Sequence, residues 1–156
     1  MPRMRADEVE AALTAAGWSP GRDIGAELPE LLRVVTERFA DEGHPVEPFE
    51  AAQDFVREFG GLRLPIPGTP PDAVGFTPQW IYEESAEDVA ELAEDLGRRL
   101  FPVGYEEFDA SMILIDETGH FFLMHHTGPY FLGASAYEAI SALLRGPQEE
   151  AGRHFA

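Results

Sequence analysis

The residues whose types best suit metal chemistry lie in the C-terminal third of the chain: His120, His125, His126, Asp116 and Glu117. Imidazole and carboxylate together are typical ligands of transition metals. However, adjacent residues on a strand point to opposite faces, which would separate His125 from His126. His120 and His126 would share a face but lie about 20 Å apart at ~3.3 Å per residue. We therefore expect no metal site, and a metal-dependent hydrolase built around His120 or His126 with Asp116 is the least favoured function.

The motifs of common enzyme classes are missing from the sequence. The chain has no cysteine, which excludes thiolate metal sites and cysteine nucleophiles. It also has no phosphate-binding glycine loop with lysine, no dinucleotide fingerprint and no His-Glu-x-x-His pair. Gly133-Ala134-Ser135 resembles a nucleophile elbow, but Tyr137 stands where the second glycine belongs, and Ser135 suits a helix N-cap. The sequence therefore points to no catalytic residue and to no cofactor.

The chain is strongly acidic. Its 156 residues include 11 Lys plus Arg against 29 Asp plus Glu, a formal net charge of −18. This charge repels nucleic-acid phosphates and anionic lipids, and it steers basic partners towards the protein. We therefore expect no direct contact with nucleic acid or membrane. The longest apolar runs are far shorter than the ~18 residues of a membrane helix, and acids at positions 7, 8 and 10 do not suit a signal peptide. These features favour a cytoplasmic protein.

The densest charged feature is the segment 83–95, which has helical periodicity. Its apolar residues form one stripe, and its acids occupy the opposite face. Such a face is either an ordinary solvated surface or a docking surface for a basic partner. Neighbouring aromatic residues would anchor a partner, and Glu106, Glu107 and Asp109 would extend the surface. The predicted partner-binding residues are Trp80, Tyr82, Glu83, Glu84, Glu87, Asp88, Glu91, Glu94 and Asp95.

Hydrophobic periodicity predicts the elements that position these residues. Helices are predicted over residues 7–16, from 28, over 48–59, from 85 and from 135. Strands are predicted over residues 62–66, 100–105, 112–116, 120–126 and 130–132. Ser85 and Ser135 are the predicted N-caps of the last two helices, and Trp18 is predicted to lie in the core.

The order of these elements predicts an α+β fold. We expect a single domain in which a largely antiparallel sheet of about four to six strands is flanked by helices. The segment 67–78 is rich in glycine and proline and is predicted to be a loop. The domain is expected to span residues 1–147, followed by a fraying tail over 148–156.

Five short motifs occur in a characteristic order along the chain. They are Gly17-Trp18-Ser19-Pro20-Gly21-Arg22, Phe59-Gly60-Gly61-Leu62, Phe101-Pro102-Val103-Gly104, Leu114-Ile115-Asp116-Glu117-Thr118-Gly119-His120 and Leu132-Gly133-Ala134-Ser135. Together they resemble the third group of the SUKH immunity superfamily. The resemblance spans nearly the whole chain, and it implies an α+β fold with a sheet flanked by helices.

The resemblance also implies a function, and this function is not enzymatic. Such proteins are cytoplasmic immunity proteins of bacterial polymorphic toxin systems, which bind and block a cognate toxin domain, often a nuclease or a deaminase. Superfamily members also serve as regulatory protein-binding modules, and a non-toxin module of this kind is the alternative function. The shared motifs are mainly turn and core residues, so no binding residue is transferred from the family to this chain.

Overall fold

The computed structural model describes residues 3–78, 82 and 84–156. Within these residues five α-helices and seven β-strands follow one another along the chain: α1 (Ala6–Ala15), α2 (Leu28–Asp41), α3 (Glu50–Phe59), β1 (Arg63–Ile66), β2 (Asp72–Gly75), α4 (Ser85–Leu96), β3 (Leu100–Glu106), β4 (Ser111–Asp116), β5 (Phe121–His125), β6 (Gly128–Gly133), α5 (Ala136–Arg145) and β7 (Glu149–Glu150). The α+β prediction is confirmed. None of the helices in the described part of the chain is long and apolar enough to cross a membrane.

The strands form one antiparallel sheet in which every strand pairs with its neighbours in sequence, in the order β1 to β7. The predicted central hairpin is present, with Leu114 opposite Phe122 and Ile113 opposite Leu123. Its turn ends in Gly119, whose φ of +91° suits glycine. This simple meander places the turns between successive strands alternately at the two ends of the sheet.

Helices and the C-terminal segment cover the two faces of the sheet. On one face, the ring of Phe55 in α3 packs edge-on against Phe121, with 5.0 Å between ring centroids. Phe122 points to the opposite face, where it and Phe131 contact the ring of His154. The chain end joins α4 there, since the backbone N–H of residue 156 donates to the Asp95 carbonyl at 2.8 Å. Because both faces are covered, β4 is buried at every position.

Trp18 and Arg22 fix the N-terminal helices against α3. Trp18 is buried, as predicted, and its backbone N–H donates to the Leu13 carbonyl at 3.0 Å after α1 ends. The Arg22 guanidinium donates to the carbonyls of Glu58 and Gly60 at 2.7 and 2.9 Å. Arg22 therefore satisfies carbonyls at the C-terminal end of α3 that have no partner within the helix.

The sheet has seven strands, more than the four to six expected from the sequence, because two short strands escaped prediction. The predicted loop over 67–78 contains β2, which pairs with both β1 and β3. The tail after residue 147 does not fray. Glu149 and Glu150 pair with β6, and Ala151 is fully buried. Both strands gain their stability from neighbours distant in sequence, which local periodicity does not reveal.

The two predicted serine caps have different outcomes. Ser135 is confirmed, because its Oγ accepts the Glu138 backbone N–H at 3.2 Å, and the Glu138 carboxylate accepts the Ala134 N–H at 2.9 Å. The Ser85 cap is wrong. Ser85 is already the first residue of α4, and Glu84 occupies the N-cap position with a φ of +68°. The buried Ser85 Oγ has no hydrogen-bond partner in the described part of the chain.

Candidate functional site

The acidic face of α4 follows from the amphipathic pattern of the helix. Val89, Leu92 and Leu96 are buried against the sheet, which turns the opposite side of the helix to solvent. At 3.6 residues per turn the acids share an arc of about 120°. Six acids of the predicted partner-binding set lie on α4 or at its N-cap among the described residues, and they are called the acids of α4 below. Asp88 is half-buried, and the other five are exposed: Glu84, Glu87, Glu91, Glu94 and Asp95. Trp80 and Glu83 lie outside the described residues.

Arginine does not neutralise this acidic face. Ten of the eleven arginines form ion pairs with carboxylates that lie outside α4. The eleventh, Arg22, donates to two backbone carbonyls at the C-terminal end of α3. Among the described residues, no ion pair within 4 Å includes any of the six acids of α4. The chain has no lysine to substitute for the missing cations. Within the described residues, the negative charge of α4 is therefore not compensated by ion pairs.

Beside this face lies a groove of about 530 Å³. One wall is the flank of α4 that carries Asp88, Glu91, Leu92 and Asp95. The other side comes from two turns of the sheet, and its residues are Asp109, Ala110, Met124, His125, His126, Gly128 and Pro129. The groove thus combines four carboxylates with apolar surface. Glu87 and Glu94 lie on the same exposed face of the helix, outside the groove.

Tyr82 also lines the groove. It is the one aromatic residue of the predicted partner-binding set that lies among the described residues. Its hydroxyl donates to Asp88 Oδ2 at 3.4 Å. Burial, with the Asp88 carboxylate beside it, raises the pKa of Tyr82 to about 12. Tyr82 therefore remains a neutral hydrogen-bond donor across the physiological pH range.

The floor of the groove holds Asp109 together with His125 and His126, two histidines that strand alternation would place on opposite faces. His125 Nε2 lies 3.0 Å from Asp109 Oδ2, and the His125 and His126 rings are tilted by 37° to each other, with 3.9 Å between their centroids. The expectation that adjacent histidines diverge is wrong because β5 ends at His125, so His126 belongs to the following turn and escapes the alternation of a strand. Nitrogen and oxygen atoms of these three side chains lie within 4.8 Å of one another.

Two carboxyl groups hold the turn that carries Asp109. The backbone N–H of Phe108 donates to Asp72 Oδ1 at 2.8 Å, and that of Asp109 donates to Glu106 Oε1 at 3.3 Å. Burial, reinforced by the neighbouring Asp72, raises the pKa of Glu106 to about 7. The same turn presents the Phe108 ring to solvent at 60% exposure. Of the three acids expected to extend the surface, Asp109 lines the groove, Glu106 is buried and Glu107 pairs with Arg63.

Asp116 and His120 form a separate and structural cluster. The Asp116 carboxylate is fully buried and accepts hydrogen bonds from Arg98 at 2.9 Å, Thr118 and the His120 N–H. Burial alone raises the pKa of Asp116, but these hydrogen bonds outweigh it and hold the pKa below its ordinary value. The carboxylate is thus engaged in closing the β4–β5 turn, which weighs against a hydrolase site with His120 or His126, the function that the sequence favoured least.

Comparison with known proteins agrees with the fold. The SUKH-3 immunity protein family matches residues 5–146, which is most of the chain. No curated protein and no solved structure matches it significantly. The family supports an immunity function, and an immunity function implies a cognate toxin as the partner. Because the match runs from α1 to the end of α5, the chain belongs to the SUKH-3 immunity protein family.

Proposed function

We propose that the protein binds and neutralises a cognate bacterial toxin domain through the acidic groove between α4 and the turns of the sheet. The observation that carries the proposal is the charge of α4: among the described residues its acids form no ion pair with an arginine within 4 Å, and all eleven arginines are engaged elsewhere. An acidic face that its own arginines do not pair with is available to cations of another protein.

The groove suits basic side chains in particular. The guanidinium of an arginine binds carboxylates in a two-pronged geometry, and Asp88, Glu91 and Asp95 line one wall. The aliphatic stem of the same arginine would pack on Met124 and Pro129. Phe108, exposed on the adjacent turn, would add an aromatic anchor beside the polar contacts.

A nuclease or a deaminase fits this surface as the toxin domain. Enzymes that act on nucleic acids bind phosphates through cationic clefts, so an acidic inhibitor that covers such a cleft blocks access of the substrate. Electrostatic attraction also speeds the encounter at low salt by about 10- to 1,000-fold. Inhibition of this kind would act in the cytoplasm, where these toxins meet their substrates.

The partner would first be identified by pull-down from the source organism's lysate at low and at physiological salt, followed by mass spectrometry. We expect recovery of a toxin domain with a basic surface, and co-expression should protect cells against it. Recovery of a regulator at both salt concentrations, with no toxin, would instead establish the non-toxin regulatory module and refute the immunity proposal.

The binding surface would then be tested by charge reversal. The double variant Glu91→Lys/Asp95→Lys raises the net charge of the groove by four units. The control variant Glu27→Lys/Asp41→Lys makes the same change in net charge at two exposed residues outside the groove. We expect the groove variant to bind the toxin at least ~100-fold more weakly and with reduced salt dependence, while the control stays within ~5-fold of the unmodified protein. Equal effects of both variants would show that net charge, rather than this groove, governs binding.

A further inference from the structure

We propose that Asp109, His125 and His126 bind one divalent transition-metal ion of the Zn²⁺ or Ni²⁺ class at the floor of the groove. Two imidazoles and one carboxylate are the ligand types that these ions prefer. The site would have three protein ligands and an open coordination position that faces the groove.

The spacing of the three side chains matches such an ion. With bonds of about 2.0–2.1 Å, two ligand atoms on a tetrahedral zinc lie about 3.3 Å apart. His125 Nε2 and Asp109 Oδ2 already lie 3.0 Å apart. One ring nitrogen of the exposed His126 lies within 4.8 Å of a ligand atom of each of the other two side chains. We expect a rotation of this exposed side chain to bring its nitrogen to bonding distance of the ion.

Neighbouring groups support the ligands in a second layer. The backbone N–H of Thr127 donates to His125 Nδ1 at 3.1 Å, which leaves the proton on Nε2 to donate to Asp109. When Nε2 binds an ion, the neutral ring carries its proton on Nδ1 instead, and the Thr127 backbone N–H loses Nδ1 as its acceptor. The Thr127 hydroxyl, 2.8 Å from Nδ1, then accepts the Nδ1 proton and is free to donate in turn to the Tyr130 hydroxyl at 2.8 Å. Metal-bound histidines are oriented by partners of this kind.

The surroundings of the site fix its ligands and favour a bound cation. Asp109 is held in place through its own backbone N–H by Glu106, so two of the three ligands are fixed before an ion arrives. Asp88, Glu91 and Asp95 line the opposite wall, and their negative charge attracts a cation to the groove. His120, by contrast, has Arg98 Nη1 3.2 Å from its Nδ1, which disfavours a cation at that histidine.

The test is isothermal titration calorimetry of the untagged protein with ZnCl₂ and, separately, with NiCl₂. We expect one ion per chain, with no heat from MgCl₂, because magnesium prefers oxygen ligands. His126→Ala and Asp109→Asn should each weaken binding by at least ~10-fold. His44→Ala, a half-buried histidine outside the site, should leave binding unchanged.

A second measurement reports the ligands directly. The visible absorption bands of the Co²⁺-loaded protein should change or disappear in His126→Ala, while circular dichroism shows an intact fold. The proposal is refuted if the protein binds less than half an ion of zinc or nickel per chain, or if His126→Ala and His44→Ala bind equally well. Because the metal salt alone is the probe, this result does not depend on the toxin or on the proposed function.

Discussion

We expect Glu106, in the turn beside the groove, to make the free energy of unfolding of the protein depend on pH. The residue is only 8% exposed, and burial beside Asp72 raises its pKa from an ordinary 4.5 to about 7. Between these two pH values the folded protein keeps a proton on Glu106 that the unfolded chain releases. The folded state then binds more protons than the unfolded state, so the free energy of unfolding falls as pH rises through this window.

The magnitude follows from the difference between the two pKa values. Each pKa unit corresponds to about 1.4 kcal/mol, and with allowance for the nearby solvent we expect a loss of about 1–3 kcal/mol between pH 5 and 8. Asp72 does not mask this loss. Burial raises its pKa, but hydrogen bonds from Glu106, Phe108 and Ala73 outweigh burial and lower it. Its contribution is therefore lost only in acid, below this window.

The assay is urea unfolding of Glu106→Gln, followed by circular dichroism at fixed ionic strength from pH 5 to 8. Glutamine imitates the protonated carboxyl group, so the variant should match the unmodified protein at pH 5 and exceed its stability at pH 8. Glu87→Gln removes the same charge from the exposed face of α4 and should give a difference that is flat with pH. A flat difference for Glu106→Gln, or a variant less stable at pH 8, would refute the reasoning.

Two further substitutions test the scaffold, both by urea unfolding. Arg98→Ala removes an ion-pair partner from the buried Asp116 and should lower the free energy of unfolding by about 2–3 kcal/mol. Its control is Arg33→Ala, on the exposed surface of α2, which should lower the free energy of unfolding clearly less. Equal losses in the two variants would contradict a special role for the buried carboxylate. Gly104→Ala places a methyl group against a backbone carbonyl of β2 and should lower the free energy of unfolding by about 1–3 kcal/mol. Its control is Gly152→Ala, whose methyl group meets open space and should leave the free energy of unfolding nearly unchanged. A Gly104→Ala variant as stable as the unmodified protein would show that the strands move apart at no energetic cost.

Local patterns in the sequence were sufficient for the helices and the central hairpin. The hydrophobic stripe of α4 predicted which side of that helix faces solvent, and the serine at position 135 marked the start of α5. These features depend on residues within a few positions of one another. Local periodicity and capping therefore predict them reliably.

The remaining features depend on residues far apart in the sequence. Strand β2 is short and contains Asp72 and Gly75, which disfavour strands, yet pairing on both sides and the bonds that Asp72 accepts hold it in place. The histidine pair was missed for a different reason. Strand β5 ends at His125, and an error of one residue in that boundary reverses the predicted direction of the next side chain.

Net charge alone does not explain why the groove, rather than another surface, suits a cation. On α2, Arg33 bridges Glu30 and Glu37, and in the sheet Arg63 pairs with Glu107, so the acids of those surfaces are partly neutralised. In the part of the chain that the structure describes, the acids of α4 form no such ion pairs. Because three of these carboxylates and that of Asp109 line one concave groove, which also carries apolar surface, their field is focused there. Both proposals rest on this field, which would attract a metal ion in one and the basic side chains of a toxin in the other. We therefore expect the distribution of the arginines to determine the binding surface more than their number does.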